Sequence, residues 1–435
     1  MTRSLVATLL VALLAVPLAR VTGQAPIGAP AADSTRLPAA LFVTWDGDPT
    51  TTVSIDWHLH AGTDLPTIAV RGPGLRGWRT VTGEPVVFPH STRHVRRARI
   101  TGLRPGATYR VRVADRTYTY RTMPARLDAP IVFAEGGDTQ PDDATFGATN
   151  RMVARHDVAF ALIGGDLAYS NGDPRLVARE ERWFETVSRT LVTDQGRLIP
   201  VIAGIGNHEV FGARDTSAAF AEMIARTGVR VGDATYYRAL HAHARERQHG
   251  VIDVGDYLSL VLLNTGHTMP IAGEQTEWLR TTLASRRAVP HLFPVYHVPG
   301  FPSVRAYAAS NSAAVRAHWV PLFEEAGVRA AFEHHDHAYK RTMPIRAGRP
   351  DTSGVTYLGD GAWGAGPRPI GRDHQGEAQW YLHRTASTRH AIIVTLDRNS
   401  AHFAARDTTG AVIDSVRVPR RAGDVAPAAS RAGRQ

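Results

Sequence analysis

A chain of 435 residues, 43% of them apolar, exceeds what one hydrophobic core ordinarily supports, so two folded domains are expected. The formal charge is +10, with a single lysine, Lys340, among fifty Lys and Arg residues, and there is no cysteine. This excludes a disulfide framework, lipid attachment at an N-terminal cysteine and a G-x-x-x-x-G-K phosphate loop; no G-x-S-x-G nucleophile elbow is found, and the skew to arginine reads as codon bias rather than a nucleic-acid footprint, which would cluster on one face.

The first segment, residues 1–24, has an early Arg3, an apolar run from Leu5 to Leu18 and small residues at Gly23 to Ala25. That pattern is expected for a cleaved signal peptide, too short for a membrane span, and places the protein outside the cell or in a periplasm. A Pro/Ala-rich spacer, 25–36, follows. From 37 to 124 short alternating runs ("LFVTWDGDPTTTVSIDWHLH", "TIAVRGPG", "EPVVFPHSTRHVRRARI", "ATYRVRVADRTYTYRT") are broken by Gly and Pro turns, which predicts a small all-β sandwich. The basic run "VRRAR" at 95–99 is expected to be a solvated strand face. The stretch "ARITGLRPGATYRVRV" resembles the late strands of a fibronectin type III domain, with Leu103, Pro105 and Tyr109 at core and corner positions.

Residues 128–416 change texture to apolar runs alternating with helical patterns such as "REERWFETVSRTLV" and "TEWLRTTLAS", the arrangement of βαβ units. Five runs end in a metal-capable side chain: "IVFAEGGD", "VAFALIGGD", "LIPVIAGIGNHE", "HLFPVYH" and "VRAAFEHHDH". Ligand crevices lie beyond the carboxyl ends of strands in α/β sheets, so these ends are expected to converge. A single aspartate after a strand is usually a helix cap; five such coincidences are not. An H-x-H pair, His335 and His337, sends two imidazoles the same way from an extended segment. The stretch "AIIVTLDRNSAHFAARDTTGAVIDSVRV" reads as closing strands, and the basic tail 417–435 as disordered.

In chain order the run ends give Asp138, Asp166 with Tyr169, Asn207 with His208, His297, and His335 with His337. This set resembles the calcineurin-like metallophosphoesterases, and "GDLAYS" narrows the resemblance to the purple acid phosphatases. It implies an α/β fold, a metallophosphoesterase β-sandwich flanked by helices and built of βαβαβ units, preceded by the fibronectin type III-like sandwich. It also implies two metal ions. Asp138, Tyr169 and His337 would join Asp166 on the first, while Asn207, His297 and His335 would hold the second, with Asp166 bridging. Fe(III) paired with Fe, Zn or Mn is expected, and a metal-bound hydroxide would attack the phosphorus of a small phosphorylated substrate in line. His208 would steady the phosphate oxygens, protonate the leaving group or orient Asp166.

The implied activity is phosphate monoester hydrolysis; a phosphodiesterase or phytase-like hydrolase, or an inactive binding protein, are the alternatives. Three departures bear on it. Gln140 stands where other relatives place a histidine, so Gln140 and Tyr169 compete for one position, with a Mn/Zn pair expected if Gln140 binds. His334 replaces a glycine and Lys340 often a glutamate, and His334 is expected to pack rather than ligate. No histidine after His297 matches the general acids of plant members, where "VPGFPSVRAYAASNS" offers only Arg305 and Tyr307.

Overall fold

The computed structural model describes residues 37–212, 218–244, 248–372 and 379–421. The expected signal peptide and spacer lie outside the described residues, as does the tail from 422. Eight strands come first: β1 (Ala40–Thr44), β2 (Val53–Leu59), β3 (Thr67–Arg71), β4 (Arg79–Thr82), β5 (Glu84–Val86), β6 (His94–Ile100), β7 (Thr108–Val113) and β8 (Arg116–Arg121). They form two antiparallel sheets, β1-β2-β6-β5 and β4-β3-β7-β8, an immunoglobulin-type strand order with one strand added to the second sheet. Between them lie Val53, Ile55, Trp57, Val70, Val111 and Tyr120. Tyr109 is buried; its hydroxyl accepts the backbone N–H of Arg104 at 2.7 Å and donates to the Pro73 carbonyl at 3.0 Å, so the corner role expected of it holds. Leu103 is buried, while Pro105 is exposed in the turn between β6 and β7.

The second part runs β9 (Ile131–Gly136), α1 (Phe146–Ala154), β10 (Ala161–Ile163), α2 (Val177–Thr190), β11 (Val201–Ala203), α3 (Ala218–Thr227), α4 (Thr235–Leu240), β12 (Gly250–Val254), β13 (Leu258–Leu263), α5 (Glu274–Ala284) and β14 (His291–Tyr296). It continues through α6 (Ser310–His318), α7 (Val320–Glu325), β15 (Ala330–Glu333), β16 (Tyr339–Thr342), β17 (Ile345–Arg346), β18 (Arg349–Pro350) and β19 (Thr356–Gly359). The last strands are β20 (Leu382–Ala386), β21 (His390–Leu396), β22 (Ser400–Asp407) and β23 (Val412–Pro419). Two mixed sheets result, β11-β10-β9-β21-β22-β23 and β12-β13-β14-β15-β19-β16-β20. Phe133, Phe160, Leu162, Phe293, Phe332 and Phe403 fill the space between them. The helices cover the outer faces: Met152 of α1 and Trp183 and Phe184 of α2 on the first sheet, and Leu279 of α5, Val315 of α6 and Phe323 of α7 on the second.

In each sheet the strands that feed the predicted ligand loops are parallel. β9 pairs with β10 and β10 with β11; β14 pairs with β15 in the other sheet. Parallel strands end on the same side, so five loops from two packed sheets meet at one edge of the sandwich.

The front sandwich does not hang free. Phe42 and Phe88 share a core with Trp183 and Phe184 of α2. Arg97 corrects the expectation of a solvated "VRRAR" face: it is buried, bonds Asp56 through Nε at 2.7 Å and Nη2 at 2.5 Å, and donates to the Leu240 carbonyl at the end of α4. A buried guanidinium is tolerated here because a bidentate carboxylate and a carbonyl replace its water. At the other end, β23 runs past the expected boundary at 416, and Arg421 is buried with its guanidinium on the carbonyls of Arg286, Val289 and Ala326.

His58 on β2 is fully buried against the Phe184 ring, centroids 4.5 Å apart, with no hydrogen-bond partner for either ring nitrogen among the described residues. Burial, then the charges of Arg93 and Arg97, push its pKa from 6.5 down to about 3. The unfolded chain therefore takes the proton first. The stabilisation is complete above about pH 6.5 and is lost as pH falls towards 3, by about 1.4 kcal/mol per pH unit. His58→Leu should flatten this acid limb. The measurement is the melting temperature of both proteins between about pH 7 and pH 4; parallel curves would show that His58 does not titrate with unfolding.

Candidate metal centre

Three of the five ligand loops leave their strands through a sharp reversal. Asp138, Asp166, Tyr169, His335 and His337 have φ of 58°, 53°, 55°, 79° and 59°, the left-handed region that costs a side-chain-bearing residue about 1–3 kcal/mol. The rigid sheets hold these residues there, and the reversals turn their side chains into one cluster. His337 Nε2 lies 3.1 Å from Asp138 Oδ1, and the Tyr169 hydroxyl 3.3 Å from the same oxygen and 3.0 Å from His337 Nε2. On the other side, His297 Nε2 lies 3.1 Å from Asp166 Oδ2, 3.3 Å from Asn207 Oδ1 and 3.1 Å from His335 Nδ1.

Two triads of potential ligands follow, Asp138, Asp166 and His337, and Asp166, His297 and His335, with the ligand atoms of each within 4.8 Å of one another. Asp166 belongs to both. All of the predicted ligand residues, Asp138, Asp166, Tyr169, Asn207, His297, His335 and His337, are thus brought together. Gln140, half-buried on the same loop as Asp138, competes with Tyr169 on sequence alone; here the Tyr169 hydroxyl is the group in contact with Asp138 and His337.

The electrostatics fit cations. Asp138 and Asp166 are fully buried, and every ion pair they make among the described residues is with an imidazole. Burial opposes ionisation of Asp138, yet His337 and His297 hold it at about 2; Asp166 is held well below the usual carboxylate range, against burial, chiefly by His297. His297 is in turn raised to about 9, where Asp166 and Asp138 overcome the effect of its burial. A buried carboxylate pair needs positive charge, and oxygen and imidazole donors suit hard and borderline divalent or trivalent ions.

The "HHDH" stretch alternates in role. His335 and His337 face the cluster. His334 turns back between the sheets, its Nδ1 on the Tyr296 carbonyl at 2.8 Å and its Nε2 on Glu135 at 2.5 Å, packed as expected. Its ring occupies the space a side chain at Gly164 would need: a Cβ there would fall 1.9 Å from His334 Cε1. Asp336 accepts the backbone N–H groups of Ser303 and Val304 at 2.8 and 2.7 Å and pairs with Arg305, which ties Arg305 to structure. Lys340 is buried on Glu333, the Phe301 carbonyl and Asp360. Gly361 passes so close to the centre that a Cβ would lie 2.0 Å from Asp138 Oδ2.

His208 serves two ends. Its backbone N–H donates to Asp166 Oδ1 at 2.8 Å. Its ring stacks on Tyr169 with centroids 4.2 Å apart, bonds Asn171 through Nδ1, and turns Nε2 towards Asp166 Oδ2 at 3.8 Å. Sequence reasoning missed Glu209, next in "GNHE". Its carboxylate accepts the N–H groups of Asp166, Leu167 and Gly206 at 2.8, 2.7 and 2.7 Å, clamping two ligand loops together. Burial and the nearby Asp166 raise its pKa to about 8. A glutamate within the motif was the available signal.

The two packed mixed sheets and the paired Asp/His groups at their edge form a candidate metal centre, and known proteins share both the fold and the front segment. The family model described as "Purple acid Phosphatase, N-terminal domain" matches residues 38–125. Purple acid phosphatase 18 of Arabidopsis thaliana is 26% identical over 304 residues, 66% of this chain and 64% of the relative. The chain thus spans under two thirds of that relative's length. The purple acid phosphatase PPD1 from yellow lupin (Lupinus luteus) superposes with TM-score 0.67 at 16% identity, over 88% of this chain and 74% of that one. PhoD superposes with TM-score 0.64 at 13% identity, over 89% and 90%. The chain is thus similar to purple acid phosphatases in its front segment and in its fold.

Glu209→Gln replaces one of the accepting oxygens by an NH₂ group that faces backbone donors. Loss of a group that orients ligands typically costs about 10–100-fold in metal affinity. That drop is expected here, measured by metal titration of the apoprotein, and an unchanged affinity would show that the Glu209 clamp does not shape the centre.

Proposed function

We propose that this chain is an exported, binuclear metal-dependent phosphatase that hydrolyses small phosphate monoesters. The observation that carries the reading is the position of Asp166 in both ligand groups. A carboxylate shared by two triads is the group that a pair of ions, when bound, would share. In this reading Asp138, Tyr169 and His337 would hold the first ion with Asp166, and Asn207, His297 and His335 would hold the second. When bound, such ions supply Lewis acidity and water activation near neutral pH. Fe(III) with Fe, Zn or Mn fits a donor set that includes a phenol. Export rests on the apolar segment from Leu5 to Leu18, and the front sandwich is read as fibronectin type III-like.

The protein's own residues do the rest. Asp166 and Asp138 fix the charge and spacing of the centre, and Glu209 holds their loops. His208, on the open side of the cluster with its side chain about one-third exposed, is placed to meet a phosphoryl oxygen. Its ring is held by Asn171 and by the face of Tyr169, so it presents Nε2 without having to reorient. Arg305, engaged with Asp336 and the His335 carbonyl, is tied down by those bonds, which supports a preference for leaving groups that need little protonation.

Turnover of an aryl phosphate monoester should exceed that of the matching diester and be abolished by a chelator, with recovery on adding metal back. Greater diester turnover would make the chain a diesterase, and chelator-resistant turnover would remove metal from the reaction. Tyr169 has its own signature. The iron-loaded protein is expected to show a visible tyrosinate-to-Fe(III) absorption band that disappears in Tyr169→Phe; a band that persists in the variant would hand the position to Gln140 and favour a Mn/Zn pair.

A further inference from the structure

A cavity of about 400 Å³ opens beside the second ligand group, and Asn207, His208 and His267 are among its lining. His267 comes from the loop after β13, separate from every predicted ligand loop. Its ring meets that of His297 edge to face, centroids 5.6 Å apart.

The loop is built to hold this ring. Asn264 is fully buried; Gln275 accepts its backbone N–H at 2.8 Å and donates to its carbonyl at 2.9 Å. Asn264 Oδ1 then accepts the N–H of His267 at 2.9 Å, and Asn311 Nδ2 donates to the Thr265 carbonyl at 2.9 Å. Gly266, at φ 88°, makes the reversal between them. Thr265 sets the ring's hydrogen. Its hydroxyl oxygen accepts the Val298 N–H at 3.0 Å and lies 2.9 Å from His267 Nε2. With one lone pair taken by the amide, the hydroxyl can donate its proton to Nε2, and in that tautomer Nδ1 carries the hydrogen of the neutral ring. Among the described residues no group bonds Nδ1, so that tautomer leaves a positioned N–H donor for whatever enters the cavity.

We propose that His267 contacts the substrate, its Nδ1–H donating to a phosphoryl oxygen beside the Asn207 and His297 end of the centre. This rests on the phosphatase reading. It gives the site a second imidazole, beside His208, from a part of the chain where the sequence motifs point to none.

The test uses the metal-loaded full chain, with inorganic phosphate as the binding probe and an aryl phosphate as substrate. His267→Ala should weaken phosphate binding and raise KM about tenfold, the loss expected for one hydrogen bond to a charged group. His267→Asn, whose amide can put an N–H where Nδ1 stands, should recover most of that loss, and His267→Gln, whose amide reaches the Nε2 position, should not. A ring that only supports the loop would lower the melting temperature and respond alike to Asn and Gln. Unchanged phosphate binding in His267→Ala, or equal losses in Asn and Gln, overturns the assignment while an active wild type leaves the phosphatase reading standing. A wild type that neither binds phosphate nor turns over the ester overturns both.

Discussion

Two carboxylates, Asp138 and Asp166, are buried, and among the described residues no lysine or arginine pairs with them. Such a pair is among the most expensive arrangements a fold can contain unless positive charge is brought to it. The surrounding architecture answers that requirement. Four imidazoles surround the pair, and a third buried carboxylate, Glu209, is occupied by three backbone N–H groups instead of competing for the same charge. The imidazoles alone compensate in part: Asp166 and Asp138 push the pKa of His297 up against its burial, while burial, with the neighbouring charges of His297 and Arg305, drives His335 down to about 2. A cluster that can protonate one imidazole only by suppressing the next is one in which cations would relieve the strain on both.

The backbone cost is met in the same place. Five of the clustered side chains sit on left-handed residues, and no loop on its own would hold that many. What holds them is that each loop is anchored at the end of a buried strand. The aromatic layer between the sheets fixes the spacing of those strands, from Phe133 and Phe160, stacked 4.7 Å apart, to Phe293 and Phe332. Glu135 and His334, bonded across the two sheets directly behind the ligand loops, add a polar link at the same level.

Much of this was legible in the sequence. The five apolar runs and their terminal side chains are local features, and a strand followed by a reversal needs no distant information. The two-residue period of His335 and His337 was legible for the same reason, as was the packed role of His334 once an imidazole stood where a glycine is usual. The rest depended on distance in three dimensions. Glu209 reads as an ordinary acidic residue until the N–H groups of three residues, two of them some forty positions away, converge on it. His267 sits in a Gly- and Thr-containing loop with no motif to mark it. The contest between Gln140 and Tyr169 is a question of reach, and composition does not encode reach. Arg97 looked solvated because alternation along β6 says nothing of α4 arriving on its outer face.

The front sandwich acquires a structural role from these contacts. Phe42 of β1 packs on Trp183 of α2 with ring centroids 5.9 Å apart. Trp183 Nε1 donates to Thr139 Oγ1 at 2.9 Å, and Thr139 Oγ1 donates to the Leu167 carbonyl at 2.7 Å. Thr139 follows Asp138 and Leu167 follows Asp166, so one hydroxyl ties the two ligand loops to a helix whose other neighbour is the sandwich. Glu180 of the same helix accepts from Ser170, next to Tyr169, at 2.5 Å. A sandwich that buries the far face of α2 therefore braces the helix from which the Asp138, Asp166 and Tyr169 loops are hung. Its contribution is stiffness at the centre, supplied through α2, while the described residues that line the cavity beside the metal cluster come from the second part of the chain.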